Sequence, residues 1–145
     1  MKNFFLLISF TAIILSSCNK DITGCTDPSA INYNSVADTD NYSCEYEGGV
    51  VFWYNQSTSQ YLSSNGVNSL IIRVNNQIIG SYSTSVYYIQ IPSCDTQGVV
   101  SYTSNFGNST TESALVNIQD GLGNVIYEFA ITLEANNCIQ QELGI

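Results

Sequence analysis

The number of cysteines limits what this 145-residue chain can fold into more than any other feature, because that number is odd. In an oxidising compartment cysteines pair into disulfides, which stabilise small domains that lack a large core. One cysteine of an odd set must then serve another purpose, such as an intermolecular bridge, a reactive thiol or a modification site. The sequence carries Cys18, Cys25, Cys44, Cys94 and Cys138.

The N-terminal residues 1–17 have the three parts of a signal peptide. Lys2 provides the positive charge, residues 4–15 form an apolar run, and Ser16 and Ser17 are the small residues that precede a cleavage point. A helical run of this length covers roughly 18 Å, whereas the hydrocarbon of a bilayer is about 30 Å thick. We therefore expect a cleaved signal peptide and no permanent membrane span.

Leu15-Ser16-Ser17-Cys18 resembles the lipobox of bacterial lipoproteins, in which the cysteine receives lipid on its sulfur and becomes the new N-terminus. The resemblance implies lipidation of Cys18 and a lipidated tether over residues 18–23. Several acyl chains anchor a protein stably, whereas a single chain holds it only marginally. Asn19-Lys20-Asp21 resembles the signals behind the lipidated cysteine of surface-exposed lipoproteins of Bacteroidota. An ordinary signal peptide that ends near a cysteine is the alternative.

With Cys18 assigned to lipid, the other four cysteines form an even set. The sequence changes character near Gly48-Gly49, so we predict one disulfide on each side of this point, Cys25–Cys44 and Cys94–Cys138. Closing loops of these lengths stabilises a protein by about 3 and roughly 4 kcal/mol in the chain-entropy model. A zinc site is the rival use of four cysteines, but the chain has no histidine and no Cys-x-x-Cys spacing.

Residues 24–47 form a separate small module. Their sequence GCTDPSAINYNSVADTDNYSCEY, from Gly24 to Tyr46, resembles a short module of surface and secreted proteins of the same bacteria, with the pattern G-C-T-D-P-x-A-x-N-Y-N-x-x-A-x-x-D-D-G-S-C-x-Y. Asp27-Pro28 predicts a turn or a helix start, followed by a helical turn through residues 29–33. Because the module has little apolar mass, we expect the disulfide to close it. The side chains expected to pack over the disulfide are Ala30, Tyr33, Ala37 and Tyr46.

Oxygen-bearing side chains in this module make calcium binding conceivable, because calcium takes six to eight hard oxygen ligands. Against calcium, Asn41 and Tyr42 stand where the resembled pattern has a carboxylate and a glycine that turns easily with positive φ. Turns formed by Asp and Asn side chains use the same residue types without a metal, and we favour that interpretation. The calcium candidates are Asp27, Asn32, Asn34, Asp38 and Asp40.

Residues 45–49 are predicted as a linker, and a β domain follows over residues 50–145. Its segments are short, rich in β-branched and aromatic residues, and separated by turn residues. The pattern predicts an all-β fold, an antiparallel β-sandwich without a helix. The predicted strands are residues 50–54, 69–74, 77–83, 86–91, 99–103, 114–119, 124–134 and 138–143, with hairpin turns at 75–76 and 120–123. In residues 124–134 the alternation predicts one buried face with Val125, Tyr127, Phe129, Ile131 and Leu133.

Charge and motif content exclude several function classes. Without Lys2 the chain keeps two basic residues against twelve acidic ones, so a nucleic-acid partner is not expected. The chain lacks histidine, a Gly-x-Ser-x-Gly elbow and a phosphate-binding loop, and its thiols are already assigned. We therefore expect no enzyme and no cofactor other than covalent lipid on Cys18, with calcium kept as an alternative.

The remaining functions are those of an interaction protein. We expect a lipoprotein held at the outer membrane, with a structural, adhesive or ligand-presenting role and an extracellular protein or glycan as partner. The sequence leaves open which face of that membrane it occupies. A carbohydrate-binding surface module is the alternative, because exposed tyrosines can stack on sugar rings. Tyr61 and Tyr88 are the candidate ligand-binding residues, whereas Trp53 is expected in the core.

Overall fold

The computed structural model describes residues 20–144, so the predicted signal peptide and Cys18 lie outside the described residues. Within the described range, no helix is long and apolar enough to cross a membrane. The elements in chain order are β1 (Thr23–Gly24), β2 (Thr39–Asp40), β3 (Glu47–Trp53), α1 (Gln56–Ser64), β4 (Ser69–Val74), β5 (Gln77–Ser83), β6 (Val100–Asn105), β7 (Thr111–Asp120), β8 (Val125–Glu134) and β9 (Cys138–Glu142).

The seven longer strands form two sheets. In the first sheet β3 lies between β6 and β9, and in the second the order is β5-β4-β7-β8. Neighbouring strands in these sheets are antiparallel except β3 and β9, which run parallel with Gly49 opposite Cys138 and Trp53 opposite Glu142. The predicted all-β fold is confirmed, and the parallel β3–β9 pair is a feature that the sequence pattern did not indicate.

One hydrophobic core lies between the two sheets. Alternate residues of β3 point into it, Val50 and Phe52, and Tyr54 follows directly after the strand. They meet Ile72 of β4 and Val116 of β7, and all five side chains are buried completely. Full burial of apolar side chains of this size stabilises a fold by about 1.5–3 kcal/mol each.

The strand β3 is buried on both faces, as its near-continuous apolar sequence requires. Val51 and Trp53 point away from the core yet are also buried. The β5–β6 connection, residues 84–99, contacts both ends of this strand. At the C-terminal end of β3, the amide of Tyr88 donates to the carbonyl of Tyr54. Near the N-terminal end, Cys94 Sγ lies beside Gly49, 3.7 Å from the position that a Cβ of this glycine would occupy. The disulfide Cys94–Cys138, which the sequence predicted, joins this connection to β9.

Two predictions for the secondary structure of the β domain are wrong. Residues 86–91 form no strand, although their composition favours one, because this segment lies in the connection that crosses the first sheet and pairs with no neighbouring strand. A helix, α1, occurs where none was predicted. It forms because the Asn55 side chain caps it, Oδ1 accepting from the Thr58 amide at 3.0 Å, and because Leu62 is buried in the core.

Both predicted hairpin turns are confirmed. Asn75 and Asn76 have positive φ angles of 48° and 68°, as a two-residue turn between β4 and β5 requires. In the turn between β7 and β8, Asp120 Oδ1 accepts from the amides of Leu122 and Asn124, both at 2.8 Å. The register shifts beside this turn, so Val125 pairs with Gln119 and is 57% exposed. The predicted buried face of β8 therefore begins at Tyr127 and excludes Val125.

The N-terminal module has the predicted disulfide, Cys25–Cys44. Its two-stranded sheet pairs β1 with β2, and residues 28–32 form turns in place of the expected helical turn. Ala30 and Tyr46 pack against the disulfide as predicted. Tyr33, which is 45% exposed, and Ala37 do not belong to this cluster, and Phe106 and Ala135 of the sandwich pack against it instead.

The last three residues of the segment predicted as a linker are part of the sandwich. Glu47, Gly48 and Gly49 are the first three residues of β3 and pair with β6. A Cβ at Gly48 would overlap the carbonyl oxygen of Glu134 at the end of β8. The glycine therefore allows the two sheets to approach closely, rather than allowing the chain to flex. The amide of Tyr46 donates to the carbonyl of Gly107 at 2.8 Å, which joins the module to the same end of the sandwich.

Candidate functional site

Asp27, the first calcium candidate, is held by three hydrogen bonds. Its Oδ1 accepts from the amide of Ser29 at 2.9 Å and from Ser29 Oγ at 2.7 Å, and its Oδ2 accepts from Tyr46 Oη at 2.7 Å. The bonds from Ser29, followed by that from Tyr46, lower the pKa of the Asp27 carboxyl. The Asp27 carboxylate raises the pKa of Tyr46 in return. Asp27 thus closes a turn and joins it to the beginning of the sandwich.

Three other calcium candidates also take part in internal hydrogen bonds. Asn32 links two parts of the module, because Nδ2 donates to the Ser43 carbonyl at 2.6 Å and Oδ1 accepts from the Glu45 amide at 2.9 Å. The side-chain Oδ1 atoms of Asn34 and Asp40 each accept a hydrogen bond from the backbone amide two residues later in the chain, at 3.2 and 3.0 Å. Asp38 is exposed. Within residues 20–144, no group of three or more acidic, cysteine or histidine side chains is arranged to hold a metal ion.

Tyr42 occupies the position at which the resembled module has glycine. Its φ angle is 59°, in the left-handed region that glycine adopts at little cost. The side chain is 87% exposed. Tyr42 therefore adopts a backbone conformation that favours glycine, and side-chain burial does not compensate for the strain.

Tyr88, one of the two candidate ligand-binding residues, is half-buried. Its ring packs edge-on against Tyr82, with ring centroids 6.0 Å apart, and Oη donates to the Gly98 carbonyl at 3.2 Å. Tyr82 in turn contacts Tyr54 at 5.6 Å. These three tyrosines are joined to the core, so most of the Tyr88 ring is engaged within the protein.

Trp53 is buried, as expected from the sequence, but it lies on the face of β3 opposite to the main core. Its indole Nε1 has no hydrogen-bond partner among the described residues. A buried tryptophan cannot provide a stacking surface for a ligand in this conformation. Phe52 and Trp53 of β3 thus pack on opposite faces of the strand.

Tyr61, the other candidate, is 52% exposed on α1. The helix orients it outward because Thr58, Ser59 and Leu62 face inward, with Ser59 Oγ donating to the Thr84 carbonyl at 2.6 Å. The C-terminal end of α1 is closed by Asn65 and by Gly66, whose φ angle is 77°. The exposed tyrosine is therefore on a short helix that is capped at both ends.

A cleft of about 490 Å³ lies between the beginning of α1 and the end of β9. Across it, Asn55 Nδ2 donates to Glu142 Oε1 at 2.7 Å, while Asn55 Oδ1 accepts from Ser57 Oγ at 2.8 Å. Tyr88 is not part of this cleft, so the structure does not bring the two candidate tyrosines into one site. The residues that line the cleft are Asn55, Ser57, Thr58, Tyr61, Glu142 and Gly144.

Sequence reasoning identified Tyr61 but not its neighbours in the cleft. Asn55 could have been recognised as a helix cap, since an asparagine directly precedes the segment, but the segment itself has too few apolar residues to indicate a helix. Glu142 is more than eighty residues away along the chain and reaches Asn55 only because β9 pairs with β3. Local patterns carry no signal for that contact.

No protein-family model, no curated protein and no solved structure matches this chain. The likeness to bacterial lipoproteins and to the short surface module therefore depends on the motif residues themselves.

Proposed function

We propose that this protein is a lipid-anchored, ligand-presenting module of the bacterial cell envelope, held at the outer membrane through Cys18. The observation that most supports this proposal is that the N-terminal module and helix α1 lie at opposite ends of the sandwich. The N-terminal module contacts the end of the sandwich where β3 begins, through Tyr46 and Gly107. The opposite end carries α1 and the β7–β8 turn, and β3 separates the two ends by roughly 20 Å at about 3.3 Å per residue.

The proposed tether is short, and it joins the molecule at the end that carries the module. Residues 19–22 separate Cys18 from Thr23, where β1 begins. Even fully extended, a chain of this length spans about 18 Å. The module is then the part nearest to the bilayer, and the end with α1 and Tyr61 is directed away from it. The two disulfides are those of an oxidising compartment, which fits export.

Membrane fractionation tests the anchor. Cys18→Ala should release the protein into the soluble fraction after a carbonate wash, because the sulfur that carries lipid is lost. Ser17→Ala is the matched control, since alanine is also a small residue before the cysteine, and this variant should remain in the membrane pellet and incorporate a labelled fatty acid. A Cys18→Ala protein that still pellets with membranes would overturn the proposed anchor.

The orientation is tested separately with fluorophores attached to single introduced cysteines. Val36→Cys places the label on the module, and Leu122→Cys places it on the β7–β8 turn, and both side chains are exposed. With the lipidated protein in vesicles that contain a headgroup-linked quencher, the label at position 36 should be quenched more strongly. Equal quenching at the two positions would contradict the proposed presentation of the end with α1.

A further inference from the structure

We infer that the cleft between α1 and β9 is a binding site for a neutral saccharide, in which Tyr61 stacks on one face of a sugar ring. The inference names the ligand class of the proposed ligand-presenting role and so rests on that role, but it does not depend on the lipid anchor. The volume of about 490 Å³ falls within the range of small-molecule sites.

The lining of the cleft selects the chemical class of the ligand. It contains no lysine or arginine, and it includes the carboxylate of Glu142, so a phosphate or carboxylate ligand is not favoured. It contains one carboxylate, Glu142, which is already bonded to Asn55, so a strongly cationic ligand is not favoured. Tyr61 is the one aromatic side chain of the lining, which is too little apolar surface for a lipid or another wholly apolar ligand.

A neutral sugar ring suits a cleft with one aromatic surface and several polar groups, because the ring combines an apolar face of C–H groups with hydroxyls at its rim. Tyr61 provides a flat surface of the required kind, and it is half-exposed on a capped helix whose other face is buried. An aromatic ring with two rotatable side-chain bonds also loses little conformational entropy when a ligand binds. The helix thus holds the backbone of Tyr61 in place before the ligand arrives.

Hydroxyl groups would be recognised by the pair that spans the cleft. Asn55 uses Oδ1 to cap α1 and Nδ2 to bond Glu142 Oε1, so the amide is fixed in orientation. The second carboxylate oxygen, Oε2, is the acceptor available for hydroxyl donors of the ligand. Ser57 adds a hydroxyl whose oxygen can accept from the ligand, because its proton is donated to Asn55 Oδ1. A few fixed polar groups beside one aromatic surface are the usual composition of a specific small-ligand site.

The test uses the full-length lipidated protein in detergent and a panel of tetrasaccharides of glucose, mannose, xylose, galactose and N-acetylglucosamine. Binding is measured by ligand-observed NMR and by titration calorimetry. We expect at least one panel member to bind, with Tyr61→Ala lowering the affinity at least about tenfold. Alanine is the best helix former, so α1 should persist in this variant, which far-ultraviolet circular dichroism checks.

Two controls separate stacking from other effects. Tyr61→Phe keeps the ring and should retain most of the affinity, whereas Tyr87→Ala removes an exposed tyrosine outside the cleft and should leave the affinity unchanged. Failure of every panel member to bind, or equal binding by Tyr61→Ala and the unaltered protein, would overturn the saccharide site. Either result leaves the anchor to be decided by the fractionation of Cys18→Ala, so the two proposals can fail independently.

Discussion

The hydroxyl of Tyr82 on β5 donates a 2.7 Å hydrogen bond to the carbonyl of Phe52 on β3, which belongs to the other sheet. The same oxygen accepts from the Val100 amide on β6 at 2.6 Å. The two sheets of the sandwich are therefore joined by a buried polar contact as well as by apolar packing. Burial raises the pKa of Tyr82, so this hydroxyl stays protonated at neutral pH.

Tyr82→Phe should destabilise the protein by about 1–3 kcal/mol, because the buried amide of Val100 loses its partner. Urea unfolding measures the change, and Tyr61→Phe is the control, since its hydroxyl is on an exposed side chain. If the two variants lose equal stability, the hydroxyl of Tyr82 does not stabilise the contact between the sheets.

Gly48→Ala should destabilise the sandwich by about 1–3 kcal/mol, the usual cost of inserting atoms into a packed interior. The added Cβ would overlap the Glu134 carbonyl oxygen, and backbone cannot move away as a flexible side chain can. Gly144→Ala is the control, because a Cβ there meets no neighbour within 4 Å. A Gly48→Ala protein as stable as this control would mean that the segment is the flexible linker that its composition suggested.

Tyr42→Gly should stabilise the module by about 0.5–1 kcal/mol. Glycine removes the strain of the left-handed backbone, and its greater conformational entropy in the unfolded chain offsets part of this gain. Tyr42→Ala keeps a Cβ and should give no such gain. Hydrogen exchange of the Asn34 and Asn41 amides, which bond to the carbonyls of Cys25 and Gly24, reports on the module directly. Equal protection in the two variants would show that the turn is not strained at position 42.

Lowering the pH should destabilise the N-terminal module, because the Asp27 carboxylate becomes protonated. The pKa of Asp27 is lower in the folded protein, so its contribution to stability is present above the unfolded pKa of about 3.9 and is lost as the pH falls through the lower folded value. Hydrogen exchange or unfolding between pH 7 and pH 2 should show this loss, and Asp27→Asn should reduce it. Asp38→Asn, which alters an exposed carboxyl of the same module, is the matched control.

Most of the fold could be predicted from local patterns. The strands of the two sheets all coincide with segments in which β-branched and aromatic residues are bounded by turn residues, and Asn75-Asn76 specifies its hairpin by itself. Residues 86–91 have the same composition but form no strand, because pairing requires a free sheet edge that this segment does not reach. Composition indicates that a segment favours extended backbone, but it does not indicate whether a neighbouring strand is available for pairing.

The candidate site could be predicted only in part. Tyr61 was recognisable as an aromatic residue in a polar segment, whereas its exposure depends on α1, which is held by a cap and by one buried leucine. Tyr88 lies in a segment predicted as a strand, and its ring packs against Tyr82, a contact made by the path of the β5–β6 connection. The Asn55–Glu142 pair depends on the parallel pairing of β3 with β9. Exposure and long-range contacts are properties of the tertiary structure.

The central claim, an exported and lipid-anchored chain closed by two internal disulfides, is tested most directly by mass spectrometry of the mature protein purified from membranes without reduction. The account predicts a chain that begins at acylated Cys18, has no free thiol, and yields peptides cross-linked as Cys25–Cys44 and Cys94–Cys138. A mature chain that begins elsewhere, an unmodified Cys18 thiol, or a peptide that joins Cys44 to Cys94 would contradict it.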